Sequence, residues 1–314
     1  MSMPLAELIA RYARMPASSV PDWMLGYFKR RSISFANGET DVRTHVCWLQ
    51  SRNFTIDLRL PLEDRQVPAR ALSEYSEQEL RSLANYEGWE ALSTWDGRAL
   101  GWHNDTSLQL HNRWPEPALL QRIGNCMIEF APSGAYVEDW RLQPSAPGPL
   151  VGLRLIEERN LADGSVRHRG GGLIVCGEHA ALVLGRAEPV IADIALRDLA
   201  IQAVGDAKRL ERLFNFETSV AHGSLEDGFR INLSTRPERL QQQLLPLDGF
   251  ELLSDGERVR QRLTIDGIPC ERLFIIDTLE EHFAFEPATG FTPAARDWFE
   301  RESQTLGRYT EVLG

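Results

Sequence analysis

Three short stretches place titratable side chains where they could do chemistry. In GWHNDTSLQL, His103 and Asp105 lie two residues apart on one face of a strand whose other face carries Trp102. A carboxylate so placed can set the tautomer of a histidine that serves as general base or ligand contact, although a strand histidine can equally do no more than hydrogen-bond a neighbour. In AYVEDWRLQ, Tyr136, Glu138 and Trp140 share a face. A carboxyl between two aromatic rings has its pKa raised if that face points inward, which suits a proton shuttle. In NFTIDLRLP, Asp57 and Arg59 stand on one face and could clamp a ligand carboxylate. Such a pair is more often a solvated strand exterior. Trp48, in ETDVRTHVCWLQ, joins Trp102 and Trp140 as aromatic wall, suited to flat or apolar ligands or to an ordinary core.

The run GGGLIVCGEHAALVLGR (170–186) offers three readings. As a phosphate cradle it lacks a GKS or GKT ending and leads into LIVC, a strand, where phosphate loops need a helix N-terminus. As a metal or nucleophile site, Cys176 and His179 lack partner ligands at finger spacing. The third reading is two antiparallel strands joined by Gly177-Glu178, with glycine where a type II′ turn requires it, and this is the one we adopt. Haem held by His103 or His45 has no local motif behind it, and no HExxH or two-His-one-carboxylate pattern occurs, so neither cofactor nor metal is expected. In NFETSVAHGS, Ser219 and His222 point to opposite faces and form no triad.

These residues sit on elements of one dominant kind. From about residue 25 to 186, short segments rich in β-branched and aromatic residues alternate with turn dipeptides such as Asn37-Gly38, Asp96-Gly97, Ser133-Gly134 and Asp163-Gly164. A meander of roughly ten strands without βαβ spacing favours closure into a barrel, which removes exposed edges. One helix interrupts it: SEQELRSLANYEGW opens on a Ser76/Glu79 capping box, stops near Gly88, and is expected to act as a mobile cover. The proline-rich run 144–149 is read as a loop within the barrel. Past about residue 190, DIALRDLAIQAVGDAKRLERLF is helical, four strand-like segments follow, and TPAARDWFERESQTL (292–306) is helical again. The fold class expected is mainly β, an antiparallel calycin/lipocalin-like barrel with an inserted helix. Residues 1–190 would hold that barrel with an N-terminal helix (Leu5, Leu8, Ile9, Tyr12), and 191–314 a smaller β-rich part with flanking helices, open to being a second, partial barrel.

The chain of 314 residues is 43% hydrophobic, ample for a core, and carries a formal net charge of −11. That charge disfavours nucleic acid and anionic membrane surfaces as partners. Four cysteines without a CxxC pair, no secretory leader pattern and no long apolar run point to a soluble cytoplasmic protein.

The blocks CWLQSRNFTIDLRLP, WDGRALGWHND, GAYVEDWRLQ and GGLIVCGEHAALVLGR, in this order, resemble a bacterial lipocalin-like family of uncharacterised proteins. More distantly, residues 24–235 are similar to the fungal casein-kinase-interacting protein built from lipocalin-like barrels. The resemblance implies the barrel fold and no activity, and the kinase partner does not carry over. The function expected is binding of a small apolar or aromatic molecule in the barrel. Arg59, Asp57, Trp48, Trp102, Tyr136 and Trp140 would serve as contacts, with Glu138 and His103 as acid and base if the protein is a cofactor-independent isomerase, dehydratase or cyclase. The alternative is a protein-interaction module. Homodimerisation stays open.

Overall fold

Strands form where apolar and polar residues alternate, and they end at the turn glycines. The computed structural model describes residues 2–285 and the isolated positions 297, 300 and 301. The helix expected over 292–306 therefore lies almost wholly outside the described residues. β1 (Gly26–Phe35), β2 (Thr40–Asp41), β3 (His45–Gln50), β4 (Phe54–Leu60), β5 (Glu87–Trp95), β6 (Ala99–Ser107), β7 (Ala118–Ile123), β8 (Cys126–Phe130) and β9 (Tyr136–Leu142) form an antiparallel meander. β9 returns to β1, with pairs running from Phe28↔Leu142 to Phe35↔Tyr136. Eight strands, β1 and β3–β9, thus close a calycin/lipocalin-like barrel, and β2 is a short flap on β1.

The strand rhythm continues past residue 147, but the hydrogen bonds do not stay in the barrel. β10 (Gly148–Asn160), β11 (Val166–Cys176), β12 (His179–Arg186), β13 (Glu217–Ser224), β14 (Gly228–Ser234), β15 (Phe250–Leu252), β16 (Arg258–Ile265) and β17 (Ile268–Phe283) make a second antiparallel sheet in the order β14-β13-β12-β11-β10-β17-β16-β15. The strands of 148–186 therefore belong to this open, partial sheet and not to the barrel as expected, because the long β10 finds its second partner in β17, over a hundred residues away. The proline-rich run marks the crossing between sheets.

The 170–186 stretch is a hairpin. Cys176 pairs directly with His179 across Gly177-Glu178, and Gly177 at φ +60° with no positive φ at Glu178 fits the type II′ turn. Gly171 lies at a bulge in β11 with φ +108°, and a Cβ there would stand 2.1 Å from the Val183 carbonyl oxygen.

Helix α1 (Leu5–Arg11) buries Leu5, Leu8 and Ile9. It does so on the second sheet, among Val151, Leu153, Phe250 and Phe274, and not on the barrel to which the sequence reading joined it. α2 (Glu77–Leu83) has the expected capping box, but it ends at Ala84, four residues short of Gly88, because Tyr86 already leads into β5. The helical stretch after 190 is two helices, α3 (Leu196–Gln202) and α4 (Ala207–Phe214). They are broken at Gly205, and α4 restarts on an Asp206 side-chain cap. α2 packs against α3 in the seam between barrel and sheet, so it is no cover over the barrel mouth.

The decisive packing feature is that the outer apolar face of β4 is itself buried. Phe54, Ile56, Leu58 and Leu60 join Ile174, Ala181, Val183 and Val220 of the second sheet in one core. Polar pins fix the two sheets: Ser51 and Asn53 donate to Asp277, both at 2.9 Å, Arg154 Nε to Glu90 at 2.7 Å, and Arg186 to the carbonyls of Ser107 and Leu108 at 3.0 and 2.7 Å.

The crowding at Gly171 generates a paired prediction. Gly171→Ala should destabilise the fold by about 3 kcal/mol or more, since strained φ and a backbone clash add. Gly97→Ala, at φ +96° with nothing within 4 Å of a Cβ, should cost only about 1–2 kcal/mol. Equal losses in urea denaturation would contradict the bulge geometry.

Candidate functional site

Because one face of β4 is spent on the second sheet, the other, Thr55, Asp57 and Arg59, lines the inside of the barrel. Trp48 stands across from Asp57 on β3. With Trp89, Trp102, Trp114, Trp140, Tyr136 and Glu129 they wall a cavity of about 80 Å³. One water needs roughly 10–15 Å³, so the space exceeds a packing defect. The rings meet edge to face: Trp48 lies 5.5 Å from Trp140 and 6.4 Å from Trp102, and Trp102 lies 5.7 Å from Trp89. Beyond Thr55, buried polar groups satisfy one another. The Trp48 indole donates to Gln50 and Thr55, the Thr55 hydroxyl donates to Gln50 Oε1, and Gln50 Nε2 donates to Ser93 at 3.1 Å.

At the other end a loop, residues 108–117, covers the cavity. The Arg59 guanidinium carbon sits 4.5 Å from the centre of the Trp114 ring, Trp114 packs edge-on to Tyr136, and its indole donates to Glu87 Oε2 at 3.0 Å. Arg113 donates to the other oxygen of Glu87 at 2.9 Å. This loop, and not α2, occupies the position of a cover.

The interior is charged. Arg59 Nε donates to Asp57 at 3.0 Å, and Arg30 Nη1 donates to Glu138 at 2.7 Å. Arg59 Nη1 has no hydrogen-bond acceptor and faces Glu138 Oε1 at 3.9 Å. Glu129 accepts from the Trp140 indole at 2.9 Å and the Tyr136 hydroxyl at 3.4 Å. Burial, reinforced by the Glu138 charge, pushes the Glu129 carboxyl well above the usual carboxylate range. Burial also outweighs Arg59 at Asp57, whose carboxyl rises to about 6.

Of the residues singled out from sequence, Trp48, Asp57, Arg59, Trp102, Tyr136 and Trp140 all line the cavity. Glu138 points inward with Tyr136 and Trp140 but lies behind the wall, tied to Arg30. His103 is not brought in. Glu90 pairs with Thr106 but Leu92 with His103, so β6 spends three residues where β5 spends two, and Asn104 takes φ +54°. This bulge breaks the alternation, leaving His103 exposed while Trp102, Asp105 and Ser107 all reach the cavity. His45 pairs with Glu63 at 2.9 Å, outside the barrel. Cys176 and His179 gain no third ligand, and among the described residues no group of three His, Cys, Asp or Glu could hold a metal. Burial pulls His179 down to about 4, where it contacts Tyr27, His222 and the Pro144 carbonyl.

Among the site residues that were missed are Glu129, Trp89 and Trp114. Glu129 had a usable signal, a lone acid in the apolar strand CMIEF, and Trp89 stands at an alternating position of β5. Trp114 sits in an irregular loop without periodicity.

Fold and site thus define a closed antiparallel barrel with a tryptophan-walled, partly charged cavity. Comparison with family models, curated proteins and solved structures found no match. Among the described residues no helix is long and apolar enough to cross a membrane.

Trp48 opposite Asp57 supplies a reporter. The fold favours the protonated Asp57, so this group adds stability as the pH falls through about 6 toward the unfolded value of 3.8. Tryptophan emission should titrate with a midpoint near pH 6, and Asp57→Asn should remove that step. A wild-type midpoint near 4 would show an ordinary, solvated carboxylate.

Proposed function

We propose that the barrel binds one small, apolar or aromatic molecule. The observation that carries this reading is the cavity itself: five of the eight tryptophans face one partly open space, where a barrel used only for its outer surface would pack side chains solid. The fold, together with the resemblance to lipocalin-like proteins, supports the same reading. A reducing, cytoplasmic setting belongs to it too, supported by four free, buried cysteines.

A second reading, a cofactor-independent isomerase, dehydratase or cyclase, is favoured by a specific observation. Two carboxyls on the cavity wall, Glu129 and Asp57, are raised toward neutrality, which is what proton transfer in a water-poor site requires. The acid and base roles would pass to them from Glu138 and His103.

A panel of flat and apolar molecules, screened by tryptophan emission and by native mass spectrometry for a carried-over compound, tests the binding reading. At least one should shift emission and bind at one per chain. If none does, and the rings prove interlocked, the outer surface takes over as the functional part. For the enzyme, Glu129→Gln should lower turnover about 10²-fold or more with little change in affinity for a neutral ligand. A binder has no turnover to lose.

A further inference from the structure

Six ionisable side chains are walled into the barrel: Arg30, Asp57, Arg59, Glu129 and Glu138, and on the inner face of β7 Arg122, which packs on the Phe28 ring and donates to the carbonyls of Trp23 and Gly124. That is three carboxyls and three guanidiniums, and what distinguishes them is where they meet. Arg30 is moreover shared, with Asp41 at 3.0 Å as well as Glu138 at 2.7 Å. Arg59 is spent on Asp57 and the Trp114 ring, and its Nη1 is turned toward Glu138 and presents no surface to the cavity. Glu129 is the carboxyl left over: its donors, Trp140 and Tyr136, are neutral. The Glu129 carboxyl is thus held by two neutral donors and faces Glu138, and its charge can be met in two ways, by a proton or by a cation in the cavity beside it.

The walls favour a cation. Indole faces are the strongest side-chain partners for ammonium groups, and Arg59 over Trp114 shows that one wall ring already receives a positive charge. An anionic ligand would instead bury a further negative charge among carboxyls. Toward the mouth, Glu87 and Asp105 add to the acidic side against Arg113.

We propose that the barrel cavity takes an organic cation, a small amine or quaternary ammonium carried on an apolar or aromatic body, which replaces the proton of Glu129. This rests on the reading of the barrel as a ligand cavity. The exchange is balanced: the ammonium enters, Glu129 becomes a carboxylate beside it, and one proton leaves to solvent. The charged and titratable groups facing Glu129 are Glu138, Arg59 and Tyr136, with Arg30 behind Glu138.

The test compares three probes of one shape class: benzyltrimethylammonium, its neutral carbon isostere neopentylbenzene, and phenylacetate. Affinity is read from tryptophan emission, and proton release from calorimetry in two buffers of different ionisation heat. The cation should bind about tenfold or more tighter than the isostere, with up to one proton released per molecule near neutral pH. Its affinity should rise with pH while that of the isostere stays flat, a wild-type measurement that needs no variant. Glu129→Gln should abolish proton release and the preference for the cation while leaving binding of the isostere. Tighter binding of the isostere or of phenylacetate, or cation binding without proton release, overturns the cation proposal and leaves the cavity reading standing. Silence from all three probes removes both.

Discussion

Burial of β4 on both faces is the constraint from which the site follows. A solvated barrel would turn one strand face to water, and the polar side chains of β4 could sit there. Here Phe54, Ile56, Leu58 and Leu60 are claimed by the second sheet, so Thr55, Asp57 and Arg59 have nowhere to go but the interior. Charges held there lose their hydration and must find partners, and breaking one such pair costs about 3–5 kcal/mol. Arg30 with Glu138 and Arg59 with Asp57 meet that demand.

The interior is therefore neither an oily pocket nor an ordinary core. Tryptophan fits it because each ring offers a large apolar body and one N–H. Trp48, Trp140 and Trp114 each place that N–H on a buried or half-buried oxygen, of Gln50 and Thr55, of Glu129 and of Glu87. The same rings that build the wall also satisfy the polar groups behind it. To Glu129 the rings bring a neutral N–H and no charge, and that gives the cavity its chemical character.

Much of this was legible in the sequence, and the failures have common physical causes. Alternation put Thr55, Asp57 and Arg59 on one face, and Tyr136, Glu138 and Trp140 on another, and both faces are real. Which face looks inward is not a property of a strand alone, since it depends on the second sheet that covers the other side. His103 was misplaced because one bulge residue, Asn104, shifts the phase of β6, and the residue carries no signal that separates it from a regular strand position. The hairpin of 170–186 was read correctly from its turn chemistry, yet its sheet was not, because the pairing of β10 with β17 spans over a hundred residues. Trp114 escaped since a loop has no period to betray which way its side chain turns.

The central claim is that Glu129, buried beside Glu138 and held by two neutral donors, keeps a proton in the ligand-free protein. Infrared difference spectroscopy between the ligand-free protein and its Glu129→Gln variant at pH 7 tests it directly, since a protonated carboxyl has a C=O stretch that a carboxylate lacks. The account requires a carboxylic-acid band in the wild type that is lost in the variant. A wild-type minus variant difference spectrum at pH 7 without that band would contradict it.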